Sequence, residues 1–132
     1  MEAVSINWLS VLIATISAFM VGGIWYGPLF GKVWMAAFNI TEEDMAKRNM
    51  PMVFGVAFLL SLIAAINLEM FLGPEATLGF GTAAGFAAGF GWVGMFLGIL
   101  YLFEHRSFKA WAVNAGYCTT ALTVMGLVLG AW

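Results

Sequence analysis

Charge is what this chain has least of. Charged side chains make up 9% of it, against roughly 25% in ordinary soluble domains. Five Lys and Arg face seven Asp and Glu, for a net charge of −2, which leaves no basic footprint for nucleic acid. Cysteine occurs once, as Cys118 in an apolar run. No intrachain disulfide can form, and the residue says nothing of redox compartment. Histidine also occurs once, as His105, and with no Cys/His cluster a lone histidine cannot build a typical zinc site. No metal and no cofactor are expected. Met1-Glu2-Ala3-Val4 lacks the positive n-region of a signal peptide, so the first apolar run is expected to be retained.

What is present is apolar side chain. Hydrophobic residues are 63% of the 132 positions, more than the interior of a soluble fold of this size can hide. Lipid is the solvent consistent with that figure. By length, residues 1–132 form one domain.

The pattern predicts an all-α, polytopic membrane protein. Its four transmembrane helices form an antiparallel bundle over about 6–26, 52–72, 78–103 and 108–131, with a short interfacial or surface helix between the first two. Each run can cross a ~30 Å hydrocarbon core. The organising stretch is Trp25-Tyr26-Gly27-Pro28-Leu29-Phe30-Gly31-Lys32. Pro28 has no N–H and biases Gly27 away from helix, so the first helix is expected to end there. Trp25, Tyr26 and Trp34 suit the headgroup level, and Lys32 can snorkel to phosphates. Val33 to Phe38 is apolar but too short to span, which suits the interface. Thr41 with Asp44 three residues on reads as a capping box that opens a surface helix through Arg48.

Small residues recur every fourth position. Ser10, Ala14, Ala18 and Gly22 form one stripe, and Ala57, Ser61, Ala65 and Glu69 a second. Gly81, Gly85 and Gly89 form two overlapping GxxxG motifs. Such stripes let helix backbones approach closely. The glycine seam can lie within one protomer or between protomers; the sharper expectation puts it between protomers and makes the protein a homo-oligomer or an accessory subunit of a membrane complex.

Polar residues inside spans are the candidates for function. Glu69 is the only acid within a span rather than at its end, and an ionisable residue there is a functional hypothesis by default. The plainer reading is an interfacial carboxylate bonded to Asn67 or to a neighbouring helix. Asn114 and Thr120 sit in the most polar span, where interhelical bonding competes with pore lining. Glu104, His105, Arg106 and Lys109 crowd the turn before the last span. A Glu-His pair can shuttle protons, but a charged turn at the membrane edge is the more ordinary reading, with Lys32 pairing Glu104 where the two edges meet. No catalytic residue is assigned.

Lysine and arginine divide unevenly. Lys32, Lys47 and Arg48 follow the first run, and Arg106 and Lys109 follow the third; the turn after the second and both termini have none. The positive-inside rule then puts both basic connections in the cytoplasm and both termini in the periplasm. The two basic edges echo each other, Phe30-Gly31-Lys32-Val33-Trp34 and Phe108-Lys109-Ala110-Trp111, as a parallel repeat of hairpins would.

Asn7-Trp8, the Trp25-to-Lys32 string, Thr41-Glu42-Glu43-Asp44, Phe103-Glu104 and the Gly-rich last span ending in Trp132 together resemble the domain-of-unknown-function 1761 family of small four-span bacterial membrane proteins. The resemblance covers nearly the whole chain. It implies an inner-membrane protein with no assigned activity, so no site residue carries over from it. Two function classes follow: a self-associating or accessory structural subunit in the lipid bilayer, and, as the alternative, a small-solute or ion channel or transporter at a protomer interface. An intramembrane enzyme using Glu104 and His105 is a weaker third.

Overall fold

A computed structural model describes residues 6–132; Met1 to Ser5, which carry the signal-peptide argument, lie outside the described residues. The fold is all-α. Among the described residues, four helices are long and apolar enough to cross a membrane: Trp8–Leu29, Met50–Leu72, Leu78–Phe103 and Phe108–Ala131.

The first span is α1 (Trp8–Ile24) continued by a wide π turn over Trp25–Leu29. Here the structure corrects the expected stop: Pro28 lies inside the helix. The π turn bonds Phe30 N–H to the Trp25 carbonyl, an i→i+5 spacing. The wider turn accommodates the proline ring, whose missing N–H would otherwise break the ladder. The chain leaves the helix at Phe30 and re-enters at α2 (Gly31–Ala37). A Cβ at Gly31 would collide with the Tyr26 carbonyl, so the tight re-entry needs glycine.

α3 (Glu42–Ala46) opens with a complete capping box: Thr41 and Asp44 each bond the other's backbone N–H. It ends before Arg48, because Asn49 caps the next helix by accepting from Met52 N–H at 3.2 Å. α4 (Met50–Leu72) carries Pro51 in its first turn, where its missing N–H costs nothing. Gly73, at φ 78°, ends it. The third span is α5 (Leu78–Phe86), a π segment over Ala87–Gly94, and α6 (Met95–Phe103). α7 (Phe108–Ala131) is the fourth, capped by Ser107.

α7 is the hub, packed against α1, α2 and the whole third span, while α4 lies chiefly against α1. Its role follows from its composition. Ala110, Ala115, Ala121, Gly126 and Gly130 are buried and small, so neighbours approach on several sides. Between α1, α4 and α7 runs a layer of Val11, Ala14, Ala18, Ala65, Leu68, Leu72, Ala121, Met125 and Leu129. Leu59, Leu60, Ile63 and Phe71 of α4 are exposed, as side chains facing hydrocarbon would be.

The glycine seam requires a correction. Gly81, Gly85 and Gly89 face α7 of the same chain. A Cβ on any of them would strike the α7 backbone: Gly126 and Gly130 from Gly81, Leu122 and Thr123 from Gly85, Cys118 and Thr119 from Gly89. The contact is reciprocal, since a Cβ on Gly126 or Gly130 would strike Gly81 or Thr77. This surface is filled within the protomer, so it offers no seam for a second copy. The first-span stripe is also internal: Ser10, Ala14 and Ala18 are buried, and Gly22 faces the Tyr117 ring.

Candidate functional site

The side-chain hydrogen bonds that run from one span to another lie at the two ends of the bundle. One end carries Asn7, Trp132 and the Gly73-Pro74 turn; the other carries both basic connections.

At the basic end, Trp25 and Tyr26 turn toward α7. Trp25 Nε1 donates to the Val113 carbonyl at 2.9 Å, and its ring fills the space beside Gly116. Tyr26 donates its hydroxyl to Asn114 Oδ1 at 2.6 Å. Asn114 Nδ2 donates to the Tyr101 hydroxyl at 2.8 Å. Trp111 Nε1 reaches the Gly94 carbonyl at 2.8 Å, at the end of the π segment. Asn114 thus ties the first, third and fourth spans together. A buried amide in lipid needs such partners, and each bond is worth ~0.6 to 2 kcal/mol. Trp34 stacks edge-on to Tyr26, centroids 5.7 Å apart.

Glu104 pairs with Arg106 at 3.0 Å, not with Lys32. Arg106 also sits over the Phe38 ring, 4.6 Å from its centroid. His105 is exposed, with φ at 57°, and serves the turn. Lys32 and Lys109, the two echoed lysines, line one shallow groove with Ser107.

At the terminal end, Asn7 accepts from Ser10 N–H at 3.2 Å and caps α1. Ser10 Oγ lies 3.1 Å from Glu69 Oε2 and 2.9 Å from the Asn7 carbonyl. Glu69 is 7% exposed, in the last turn of α4. The partner on a neighbouring helix is therefore Ser10; Asn67 is exposed and bonds its own Ile63 carbonyl. Glu69 and Ser10 line a cleft of about 390 Å³ with Asn7, Gly73, Pro74, Leu129 and Trp132. Residues from both ends of the chain and from the turn between the second and third spans share this cleft, as an even number of crossings requires.

The sequence-based pore set is not brought together. Leu129, which shares the Glu69 cleft, lies 15 residues after Asn114 along α7, about 22 Å at 1.5 Å per residue. Thr120 is half-buried midway between them. The intervening layer is mainly the apolar core; its buried Thr15 spends its hydroxyl on the Val11 carbonyl, and the buried Thr119 hydroxyl has no partner among the described residues. Among the described residues, no group of three or more His, Cys, Asp or Glu could hold a metal ion.

Sequence reasoning missed Tyr26 and Tyr101 as partners of Asn114, and Trp132 as a wall beside Glu69. One signal was present: the every-fourth-residue stripes of the first two spans place Ser10 and Glu69 at the same end of antiparallel helices.

A family model described as "Protein of unknown function (DUF1761)" matches residues 9–130. No curated protein and no solved structure matches the chain.

Proposed function

Starting from a chain that belongs to the DUF1761 family, we propose that this multi-pass membrane protein acts as a structural or accessory subunit of the bacterial inner membrane and not as a conduit through its own bundle. The observation that carries this reading is the apolar layer between the two polar ends, where the buried Thr15 bonds its own helix and Thr119 offers a lone buried hydroxyl. An ion crossing it would lose its hydration without a replacement ligand, at a cost of several kcal/mol. The groups expected to line a pore are engaged elsewhere: Asn114 with two tyrosines and Glu69 with Ser10. Any assembly, with copies of itself or with another membrane protein, must use a surface other than the filled glycine seam. The exposed apolar faces of α1, α4 and the third span remain for it. The termini are assigned to the periplasm, from the five-to-zero split of Lys and Arg.

Two measurements on purified protein test the reading. Reconstituted in liposomes, it should pass no protons, fluoride or small cations above the lipid background. Light scattering in mild detergent, with co-purification from native membranes, should show a mass greater than one chain. Selective flux, or a lone monomer in both preparations, refutes it.

A further inference from the structure

We propose that the cleft at the terminal end is a binding site for a small organic cation carrying an ammonium group, with Glu69 as its counter-ion. Glu69 is more than nine-tenths buried, and inside a membrane protein such a group is retained for a partner. Its bonded partner among the described residues is the Ser10 hydroxyl. That hydroxyl has one proton to give, and the Asn7 carbonyl lies closer to it, at 2.9 Å against 3.1 Å. Ser10 therefore cannot satisfy both acceptors when Glu69 is ionised.

The surroundings sharpen the need for a cation. Glu69 lies in the last turn of α4, where unpaired carbonyls already concentrate negative potential, and that turn holds no basic residue. All five Lys and Arg belong to the two connections at the opposite end. The exposed Glu75 in the nearby turn adds a second negative charge.

The walls then select the class of ligand. A cleft of about 390 Å³ holds roughly a dozen waters at ~30 Å³ each, or an organic cation of similar bulk. Calcium and magnesium take six or more oxygen ligands or keep several waters, and among the described lining residues one side chain, that of Glu69, is a carboxylate. An anion would meet Glu69, and no lysine or arginine is among the described lining residues to compensate it. An ammonium group can donate to the carboxylate and to Asn7, while its carbon portion rests on Leu129 and on the Trp132 indole, whose face attracts cations.

The test uses full-length protein in nanodiscs. Propylammonium is the probe, and propionamide is its neutral control of similar shape. The Trp132 indole N–H resonance, assigned by Trp132→Phe, reports binding. Propylammonium should shift it saturably and propionamide should not; Glu69→Gln should weaken the ammonium response at least tenfold. Equal responses to the two probes, no saturable response in folded wild type, or full binding by Glu69→Gln overturns the proposal. Where Glu69→Gln fails to fold, the comparison of charged and neutral probes on wild type decides alone. Neither flux nor oligomeric mass enters this test, so it stands or falls apart from the structural reading above.

Discussion

Replacing Gly85 with alanine should damage the bundle from within. The added Cβ would lie 2.9 Å from the Leu122 carbonyl carbon and 3.0 Å from Thr123 Cα, with the Leu122 oxygen closer still. These are backbone atoms, so no side chain can rotate away. Restoring the ~3.5 to 4.0 Å preferred between carbons takes about 0.5 to 1 Å of separation between α5 and α7. Such a gap forfeits a quarter to a half of each contact, and each contact is worth ~0.1 to 0.2 kcal/mol. A seam with on the order of 40 such pairs, as many as surround a buried leucine, then loses about 1 to 4 kcal/mol. Overpacking costs of ~1 to 3 kcal/mol agree. In lipid no hydrophobic drive between helices offsets that loss. The assay is thermal unfolding in mild detergent, followed by circular dichroism and by retention of the folded species on size exclusion. Gly91→Ala is the control, since a Cβ there meets nothing within 4 Å. Gly85→Ala should melt well below wild type and Gly91→Ala at or above it. Equal midpoints for the two variants, or a change confined to oligomeric mass with unfolding unaltered, would refute the intraprotomer seam.

Tyr26→Phe removes the donor to Asn114 Oδ1 and should destabilise the bundle by ~0.6 to 2 kcal/mol; an unchanged midpoint in the same melting assay would count against Asn114 as the tie between spans. In a Cys118→Ser background, cysteine at the exposed Glu75 should react with an impermeant thiol reagent in spheroplasts and cysteine at the exposed Ala46 should not; the reverse pattern inverts the assigned topology. Hydrogen bonds from the Thr41 backbone and side chain hold the Asp44 carboxyl below the usual carboxylate range. The folded form of α3 therefore gains stability that is complete above the ordinary value of ~3.9 and is lost as pH falls through the lowered folded value. Carboxyl-carbon NMR should show that midpoint rise part of the way toward the ordinary range in Thr41→Ala, which keeps the backbone bond and removes the side-chain one, and no movement would discard the Thr41 side chain as a cause.

The sequence by itself determined the solvent, the number of crossings and the elements. Scarce charge and four long apolar runs leave lipid as the only consistent medium, and spans of fixed length in lipid admit few alternatives to helices. The capping box at Thr41 and Asp44 was legible because its partners lie three residues apart. The same holds for the turn at Gly73, which its residue type announces. Tertiary structure alone decided which faces meet. Small-residue spacing states that a helix backbone comes close but carries no label for whose backbone it is; α7 filled the Gly81 to Gly89 face before a second copy could. Trp25 and Tyr26 have the chemistry of membrane-edge anchors, yet a π turn carries the helix past Pro28 and swings both rings onto α7, because Val113 and Asn114 there offer acceptors that hydrocarbon does not. The partner of Glu69 lies 59 positions away on another helix, beyond the reach of any local pattern. The gap between it and Asn114 is likewise set by the register in which antiparallel helices pack.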